Sequence, residues 1–546
     1  MRAFVKTIVC MITIVWPTWA KSSIDHLYMK KLETANGVTY AAFEGIRYDQ
    51  PRMGHDGFQR TFFFPIPVEK EKNLNRSVDC LQLNPANGQF VGQEDCQFLN
   101  VYTPMPFENR RMPVLIWIHG TAFPIGSSQG SIYNPKRFMD HEMVVVTMSY
   151  RHDILGFASF ELKSFPGNYG LNDQRMAINW IMRYIHHFGG DPDRITLGGH
   201  GLGAAHALFH MKRGYFPGHR VVKRCIAISG TRYAPWALSY QKWTARKSYQ
   251  MTRMLRCQHT SSTCISGTNY RTLVNNSNIL MRYETEYLWE TITWPYRPVL
   301  DEDYIKTNPW LDDQNHRNFS LLLGLNKHEG HLIKTFADER GWTQEQKDIL
   351  VDTFFKLYHP VKLRFMKKVV QRIKEMYDNL GYKEDRVFPL TTDGYFFYPA
   401  MMEAENHTGP VQAFMFNFHS KLGVFGCAAP RPSSGVVHGD DLPYLFEMEG
   451  CPIAEKDNRI ANKYVDMIAR FVKDGDAQLK PYSEDKELFS ITSAIRNPDE
   501  FASFDESIAT RMRFWWKLDL YRIPVPQMNY GPFKLRTTVA PLDKQL

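Results

Sequence analysis

The first half of the chain alternates short apolar runs with longer segments whose apolar residues recur at helical spacing. Residues 113–119, 143–149 and 194–198 are apolar runs of strand length, and residues 174–188 have the helical period. Strands that alternate with helices form a mostly parallel sheet covered by helices on both faces. Sites in such sheets lie beyond the carboxyl ends of the strands. The pattern therefore predicts an α/β fold with its chemistry at that edge.

The N-terminal residues have a different pattern. Arg2 and Lys6 come before an apolar run over residues 7–16, and Ala20 is a small residue suited to cleavage. This order is typical of a secretory signal peptide, which we predict over residues 1–20. The run is shorter than the roughly 20 apolar residues that cross a bilayer, and no later run reaches that length. We therefore expect a secreted, extracellular protein with no membrane span.

The charge balance argues against a nucleic-acid partner. There are 66 Lys and Arg against 57 Asp and Glu, a formal net charge of +9, and the basic residues form no long run. The densest basic stretch alternates with apolar residues at helical spacing, which predicts a solvated helix face. A site for an acidic partner or a membrane surface is the alternative. The basic residues of this stretch are Lys362, Arg364, Lys367, Lys368, Arg372 and Lys374.

The cysteines fit an oxidising compartment. Cys10 lies in the predicted signal peptide, and Cys225, in an apolar run, is predicted to be a buried free thiol. The predicted disulfide pairs are Cys80 with Cys96, Cys257 with Cys264 and, as a third candidate, Cys427 with Cys451. Four Asn-x-Ser/Thr triplets predict glycosylated surface loops at Asn75, Asn275, Asn318 and Asn406.

A long motif resembles a known family. The segment FGGDPDRITLGG at residues 188–199 closely resembles the approach to the nucleophile in type B carboxylesterases and cholinesterases, and ordered matches extend from residues 42–46 to residues 471–476. The resemblance implies an α/β-hydrolase fold, with residues 21–546 as a single domain with insertions. It also implies descent from an enzyme that hydrolyses carboxylic esters.

The motif differs from that of the family at the position of the catalytic nucleophile. The family needs serine at the centre of Gly-x-Ser-x-Gly, on a tight turn from strand to helix. Here the turn reads Gly199-His200-Gly201-Leu202-Gly203, so Gly201 stands at the position of the nucleophile. Glycine accepts the strained backbone of such a turn at little cost and supplies no hydroxyl.

The oxyanion loop departs as well. The family's His-Gly-Gly-Gly-Phe is replaced by His119 followed by Gly120, Thr121, Ala122 and Phe123. Side chains at Thr121 and Ala122 restrict a backbone whose amides would stabilise the oxyanion, and the loss of one such donor costs about a hundred- to a thousand-fold in rate. We therefore expect very low hydrolytic activity.

The other two members of the family's catalytic triad are retained. Residues 324–330 match the acid loop and give Glu329, and residues 435–446 match the histidine loop and give His438. Without serine, we expect a buried hydrogen-bonded pair that holds two loops together. Activation of water by His438, or a metal or other ligand role, are alternatives. His200 is expected to point away from the turn, so catalytic use of it is disfavoured.

Two further expectations concern the scaffold and the ligand. The resemblance implies a structural ion pair between Arg151 and Asp173, and Trp180 is expected in the core. The resemblance also implies that a choline ester is a poor ligand guess, because cholinesterases bind the choline cation on a tryptophan of the first disulfide loop and the segment between Cys80 and Cys96 has no tryptophan.

Two hypotheses for function follow. The first is a non-catalytic secreted protein, similar to the neuroligin-, neurotactin- and glutactin-like branch, that binds an extracellular protein partner or a small apolar ligand. The alternative is a carboxylic ester hydrolase with weak or altered activity that uses Glu329 and His438. Neither hypothesis needs a cofactor or a metal.

Overall fold

A large central sheet organises the part of the chain that the computed structural model describes. The sheet has ten strands in the order β1-β2-β5-β7-β6-β8-β9-β10-β11-β12. Strands β3 and β4 form a separate antiparallel pair. The described residues are 24–50, 57–60, 72–84, 87–120, 126–160, 162–213, 221–239, 241–257, 262–283, 296–301, 304–310, 318–339, 341–354, 363–418, 435–482, 489–491 and 506–518. The strands are β1 Lys30–Glu33, β2 Thr39–Arg47, β3 Gln82–Leu83, β4 Phe90–Val91, β5 Phe98–Pro104, β6 Met112–Ile118, β7 Val144–Met148, β8 Gly190–His200, β9 Arg224–Ile228, β10 Ser320–Asn326, β11 Val411–Phe416 and β12 Phe489–Ile491.

The strands from β7 to β12 along this order are all parallel to one another, whereas β1, β2 and β5 pair antiparallel at one side. Strand β7 lies on one side of β6, and β8 lies on the other side. The chain therefore crosses β6 between β7 and β8 and then continues along the sheet. Parallel strands bring their carboxyl ends to one edge, so the residues that follow β6, β8, β9 and β10 meet there. The predicted α/β fold with a mostly parallel sheet is confirmed.

Helices cover the sheet on both faces. Their bounds are α1 Lys136–Met139, α2 Asp153–Phe157, α3 Tyr169–Tyr184, α4 Leu202–Arg213, α5 Gln241–Met254, α6 Ser262–Ser266, α7 Tyr270–Tyr283, α8 His331–Glu339, α9 Gln344–Thr353, α10 Leu363–Asn379, α11 Val387–Thr392, α12 Tyr398–Glu405, α13 Leu442–Leu445, α14 Asn458–Asp474 and α15 Glu506–Lys517. A π-helical stretch, Asp393–Phe397, joins α11 to α12, and short 3₁₀ helices lie at Ile185–Phe188 and Glu455–Asp457.

Strand β6 shows how the two cores arise. Its residues alternate between the faces of the sheet, because successive side chains of a strand point in opposite directions. Val114 and Ile116 pack with residues of α3 and α4 in one cluster, and Leu115 and Trp117 pack with residues of α1, α13 and α14 in the other. A third cluster lies under the helices from α8 to α12 and α15.

The predicted elements differ from the observed ones mainly at their ends. The helix predicted over residues 174–188 begins earlier, at Tyr169, and changes to a 3₁₀ turn after Tyr184. Its first turn contains Asn172 and Asp173, whose polarity hides the helical period although both are buried. The strand predicted over residues 194–198 begins at Gly190, which pairs with Met112 of β6.

Two predicted disulfides are confirmed. Cys80 is bonded to Cys96 and Cys257 to Cys264, and Cys225 is a buried free thiol. Cys451 is also disulfide-bonded. The pairing of Cys451 with Cys427 stays a prediction, because Cys427 lies outside the described residues, as do residues 1–20 of the predicted signal peptide.

The asparagines of the predicted glycosylation sites lie in different surroundings. Asn75 and Asn318 are exposed in loops, as expected, whereas Asn275 is exposed within helix α7 and not in a loop. Asn406 directly follows α12 and is half-buried, and its side-chain amide donates a hydrogen bond to the Met402 carbonyl at 2.8 Å. Glycosylation at these four positions stays a prediction.

The basic stretch from Arg364 to Lys374 lies on helix α10, and Lys362 lies outside the described residues. Lys367, Lys368 and Arg372 are exposed, while Val370 and Ile373 are buried, which is the arrangement of a solvated helix face. Within the described residues, no helix has both the length and the apolar character needed to cross a membrane.

Candidate functional site

The turn between β8 and α4 has the geometry of a nucleophile elbow. Strand β8 ends at His200, helix α4 begins at Leu202, and Gly201 between them has φ +57°. The flanking glycines allow the close approach that this turn needs. A Cβ on Gly199 would lie 2.5 Å from the carbonyl carbon of Gly203, and one on Gly203 would lie 2.1 Å from the Ile118 oxygen. The turn therefore has the close backbone approach of an elbow, and its tip carries no side chain.

The open side of Gly201 faces His438. A Cβ added to Gly201 would lie 3.2 Å from Nε2 and 3.4 Å from Cε1 of His438. Apart from the two chain neighbours of Gly201, His438 is the residue within 4 Å of that position in the described part of the chain. The position expected for the nucleophile is therefore next to the imidazole, and it carries no side chain.

Glu329 orients this imidazole from the other side. Nδ1 of His438 donates to Oε2 of Glu329 at 2.8 Å, and the Glu329 carboxylate is fully buried. Oε1 of Glu329 accepts hydrogen bonds from the Ser229 hydroxyl at 2.5 Å and from the backbone N–H of Asn326 at 2.7 Å. With Nδ1 engaged, Nε2 is the ring nitrogen that is left to face the cleft.

A second imidazole–carboxylate pair lies beside the first. Nε2 of His200 is 3.4 Å from Oδ1 of Asp441, and the His200 and His438 ring centroids are 4.6 Å apart. Burial raises the pKa of Asp441, but His200 and the hydrogen bonds from Asn326 and Tyr464 outweigh burial and lower it. His200 was expected to point away from the turn; its ring lies against His438 while Nε2 points toward Asp441.

Three polar residues of this network were not singled out from the sequence. They are Ser229, Asn326 and Asp441. Ser229 and Asn326 stand at the carboxyl ends of β9 and β10, where a polar residue after an apolar run is a usable signal. Asp441 is part of the histidine-loop motif, but nothing in the sequence indicates that it pairs with His200.

The oxyanion loop is described only at its start. A Cβ on Gly120 would lie 2.5 Å from the His200 carbonyl oxygen, so this glycine lets the loop approach the elbow. The carbonyl of the preceding His119 accepts a hydrogen bond from the Tyr150 hydroxyl at 2.6 Å. Thr121 and Ala122 lie outside the described residues, so their effect on the loop stays a prediction.

Aromatic side chains form an apolar wall next to the imidazole. The Phe396 ring lies 5.0 Å from the His438 ring, and Trp236 lies 5.6 Å from Phe396, all between centroids. Trp236 also lies close to the elbow. A Cβ placed on Gly230 would lie 2.9 Å from the Trp236 ring and 2.1 Å from the carbonyl oxygen of Gly201, so Gly230 separates the two. An imidazole nitrogen and aromatic carbon therefore lie side by side near the elbow, a combination that is common in small-molecule sites.

The scaffold behind the site contains the expected ion pair. Arg151 follows β7 and binds Asp173 of α3 at 2.7 Å, and both side chains are almost completely buried. Trp180 is fully buried in the core. In the described residues, no group of three or more His, Cys, Asp or Glu side chains is arranged to hold a metal ion.

A parallel sheet with an elbow after its central strand, and with an acid and a histidine beyond neighbouring strands, defines the α/β-hydrolase class of protein. The sequence match is more specific. The model of the carboxylesterase family matches residues 29–511, so this chain belongs to the carboxylesterase family.

The chain is similar to lipases and esterases of several animals. The chain is similar to a bile salt-activated lipase of Rattus norvegicus, with 26% identity over 94% of this chain and 87% of that protein. It is similar to Esterase FE4 of Myzus persicae, with 28% identity over 86% of each chain. Esterase P of Drosophila melanogaster is 28% identical over 85% of this chain and 91% of its own length.

Proposed function

We propose that this chain is a secreted, non-catalytic member of the carboxylesterase family that binds an apolar ligand or an extracellular protein partner. The observation that carries the proposal is Gly201, which stands at the tip of the elbow with its open side 3.2 Å from Nε2 of His438. Acyl transfer by this family needs a covalent bond to an oxygen at that tip, and glycine has none. Loss of such a nucleophile costs about a million-fold in rate.

The retained parts of the site support a binding role. The Glu329–His438 pair is hydrogen-bonded and joins the loop after β10 to the histidine loop, so it stabilises the cleft without a nucleophile. The apolar wall of Trp236 and Phe396 offers a surface for a hydrophobic ligand. In this proposal the chain resembles the neuroligin-, neurotactin- and glutactin-like branch of the family, which is an analogy of fold.

Secretion is supported by the composition of the chain. The two described disulfides, Cys80–Cys96 and Cys257–Cys264, are typical of an oxidising compartment. Expression of the full chain in a secretory cell line, followed by N-terminal sequencing of protein from the medium, tests this part. We expect a mature N-terminus at residue 21.

A weak hydrolase is the second candidate, and one observation favours it. Nε2 of His438 faces the open side of Gly201, where a water molecule would lie within hydrogen-bond reach. In that case His438 would act as a general base, with Glu329 orienting its ring. The reaction would proceed by direct attack of water, with no acyl intermediate.

Turnover of a short aryl ester by the secreted protein separates the two candidates. The binding proposal predicts a rate equal to that of buffer, unchanged in His438→Ala. Measurable turnover that is lost in His438→Ala, and kept in a control His407→Ala, would support the hydrolase instead. His407 is a suitable control because it contacts Phe319 and takes no part in the cleft.

Restoring the hydroxyl alone is expected to restore little activity. In Gly201→Ser the new Cβ would lie 3.2 Å from Nε2, so His438 must move by a few tenths of an ångström. The side chains of Thr121 and Ala122 also replace glycines of the family's oxyanion loop. Burst and steady-state assays of this variant should stay near background, and turnover close to that of an active carboxylesterase would contradict this view of the loop.

A further inference from the structure

The open side of Gly201 has a defined chemistry, because one imidazole nitrogen faces it. Nδ1 of His438 is held by Glu329 at 2.8 Å, which leaves Nε2 to interact with whatever lies above the glycine. In an esterase, the serine oxygen would take this position. Here Gly201 supplies no oxygen, so the oxygen that reaches Nε2 must come from a ligand or from water.

The contacts around His438 leave Nε2 available to an anionic oxygen. Glu329 accepts from Nδ1 of His438, which leaves Nε2 to form a hydrogen bond with a ligand oxygen. The carboxylate of Asp441 lies 3.4 Å from Nε2 of the neighbouring His200. Asp441 is further engaged by Asn326 and Tyr464. Neither of these two carboxylates lies within 4 Å of the open side of Gly201.

The first residues of helix α4 also favour an anion next to Gly201. Gly201 N–H donates to the Ile228 carbonyl, and the amides of Ala204 and Ala205 donate to the Gly201 carbonyl. The amides of Leu202 and Gly203, the first two residues of α4, have no backbone acceptor among the described residues. Free amides at a helix N-terminus favour negative charge. They lie on the same turn as the open side of Gly201.

The apolar wall limits what the rest of the ligand can be. Phe396 lies beside the imidazole, and Trp236 lies beside the elbow. The part of a ligand that extends from the position next to His438 would therefore contact aromatic carbon. An anionic head with an apolar tail satisfies both parts of the cleft. A monocarboxylic acid with an alkyl or aryl chain has this composition.

We infer that the cleft binds an apolar monocarboxylate as the free acid anion, with one carboxylate oxygen above Gly201 on Nε2 of His438 in the place of the family's serine oxygen. The inference rests on the proposed non-catalytic function and deepens it, since an esterase would bind the ester and release the acid. No bond is made or broken. The missing hydroxyl is what makes room for the ligand's oxygen.

Matched ligands of one chain length test the inference. Binding of dodecanoate, methyl dodecanoate and dodecanol to the full secreted protein is measured by calorimetry at pH 7. We expect dodecanoate to bind about 10- to 100-fold more tightly than the other two, which is the range for one charged hydrogen bond. Equal affinity for the three ligands would overturn the carboxylate inference and leave the binding proposal standing.

Two variants test whether the carboxylate oxygen of the ligand binds above Gly201. His438→Ala removes its partner and Gly201→Ala fills its position, and in each variant dodecanoate should bind no more tightly than the methyl ester. His407→Ala is the control and should bind all three ligands like the parent chain. If both cleft variants keep the preference for the acid, the inference is wrong.

The failure of the proposed function has a different signature. Release of dodecanoic acid from the methyl ester, detected by mass spectrometry and lost in His438→Ala, would contradict a non-catalytic protein. Absence of binding for all three ligands would overturn the carboxylate inference, and the partner-binding form of the proposal would then remain.

Discussion

At the scale of single residues, Glu329 is held by more partners than an orienting carboxylate needs. Its oxygens accept from His438, from the Ser229 hydroxyl and from the backbone amide of Asn326, and the residue is fully buried. Each of these donors would lose its acceptor if the carboxylate were removed. A buried polar group without a partner costs about 1–3 kcal/mol. This network therefore joins the loop after β10 to the histidine loop as a structural element.

Removal of the Glu329 side chain should therefore destabilise the protein. Glu329→Ala is expected to lower the free energy of unfolding by on the order of 3 kcal/mol, measured by urea denaturation. Glu329→Gln keeps an acceptor oxygen and should lose less. A loss below about 0.5 kcal/mol for the alanine variant, the range of a neutral surface change, would contradict this structural role.

Sequence and structure differ in how well they identify the residues of the site. Gly201, Glu329 and His438 stand in long motifs, so their positions could be predicted from the sequence. The role of Asp441 could not, because its contacts with His200 and Asn326 join residues that are far apart along the chain. His200 shows the same limit. Its neighbour in sequence is the elbow, but its partners come from the histidine loop.

At the scale of secondary-structure elements, strand β7 and helix α3 are joined by the Arg151–Asp173 ion pair. Burial alone would lower the pKa of Arg151, but the hydrogen-bonded carboxylate of Asp173 raises it well above the usual range. The pair fixes α3 against the sheet just before β8 leads to the elbow. The buried polar residues at the start of α3 also explain why the helix period alone placed its beginning too late.

Breaking this ion pair should be costly. Asp173→Ala leaves the Arg151 guanidinium buried and uncompensated, which typically costs about 3–5 kcal/mol. The matched control is Asp338→Ala, which removes the exposed i,i+4 pair with Lys334 on helix α8. The control should change stability by less than about 0.5 kcal/mol. Equal effects of the two variants, measured by thermal or urea unfolding, would contradict the assignment.

At the scale of the whole molecule, three buried histidines behind the elbow make the fold sensitive to acid. Burial lowers the pKa of His119 to about 4. Burial and the nearby His119 lower the pKa of His152 and of His206 to about 3. Between pH 6.5 and these values the unfolded chain binds protons that the folded chain does not. The stability that these groups contribute is therefore present above pH 6.5 and is lost as the pH falls toward 4 and 3.

His152 offers the clearest test, because neither of its ring nitrogens has a hydrogen-bond partner among the described residues. Between pH 7.5 and pH 5.5 the parent chain should lose about 1.4 kcal/mol through this residue. His152→Leu should reduce the measured loss by that amount, and the exposed His186→Leu should leave it unchanged. An unaltered pH dependence in His152→Leu would show that this ring is protonated in the folded protein.

Some predictions about the whole molecule are confirmed, and others are still predictions. The fold class and family membership are confirmed, whereas a single domain over residues 21–546 and secretion stay predictions. They depend on the N-terminal residues and on long segments between elements, which lie outside the described chain. The sheet order could not be predicted from apolar periodicity alone, because that pattern carries no information on which strands are neighbours.

Whether the cleft can form a covalent intermediate is the most direct test of the account. The secreted protein is incubated with an excess of a serine-directed organophosphate, with an active carboxylesterase as the positive control, and its intact mass is then measured. The account predicts an unchanged mass, since Gly201 offers no oxygen for phosphorylation. A stoichiometric adduct on any side chain of the cleft would contradict it.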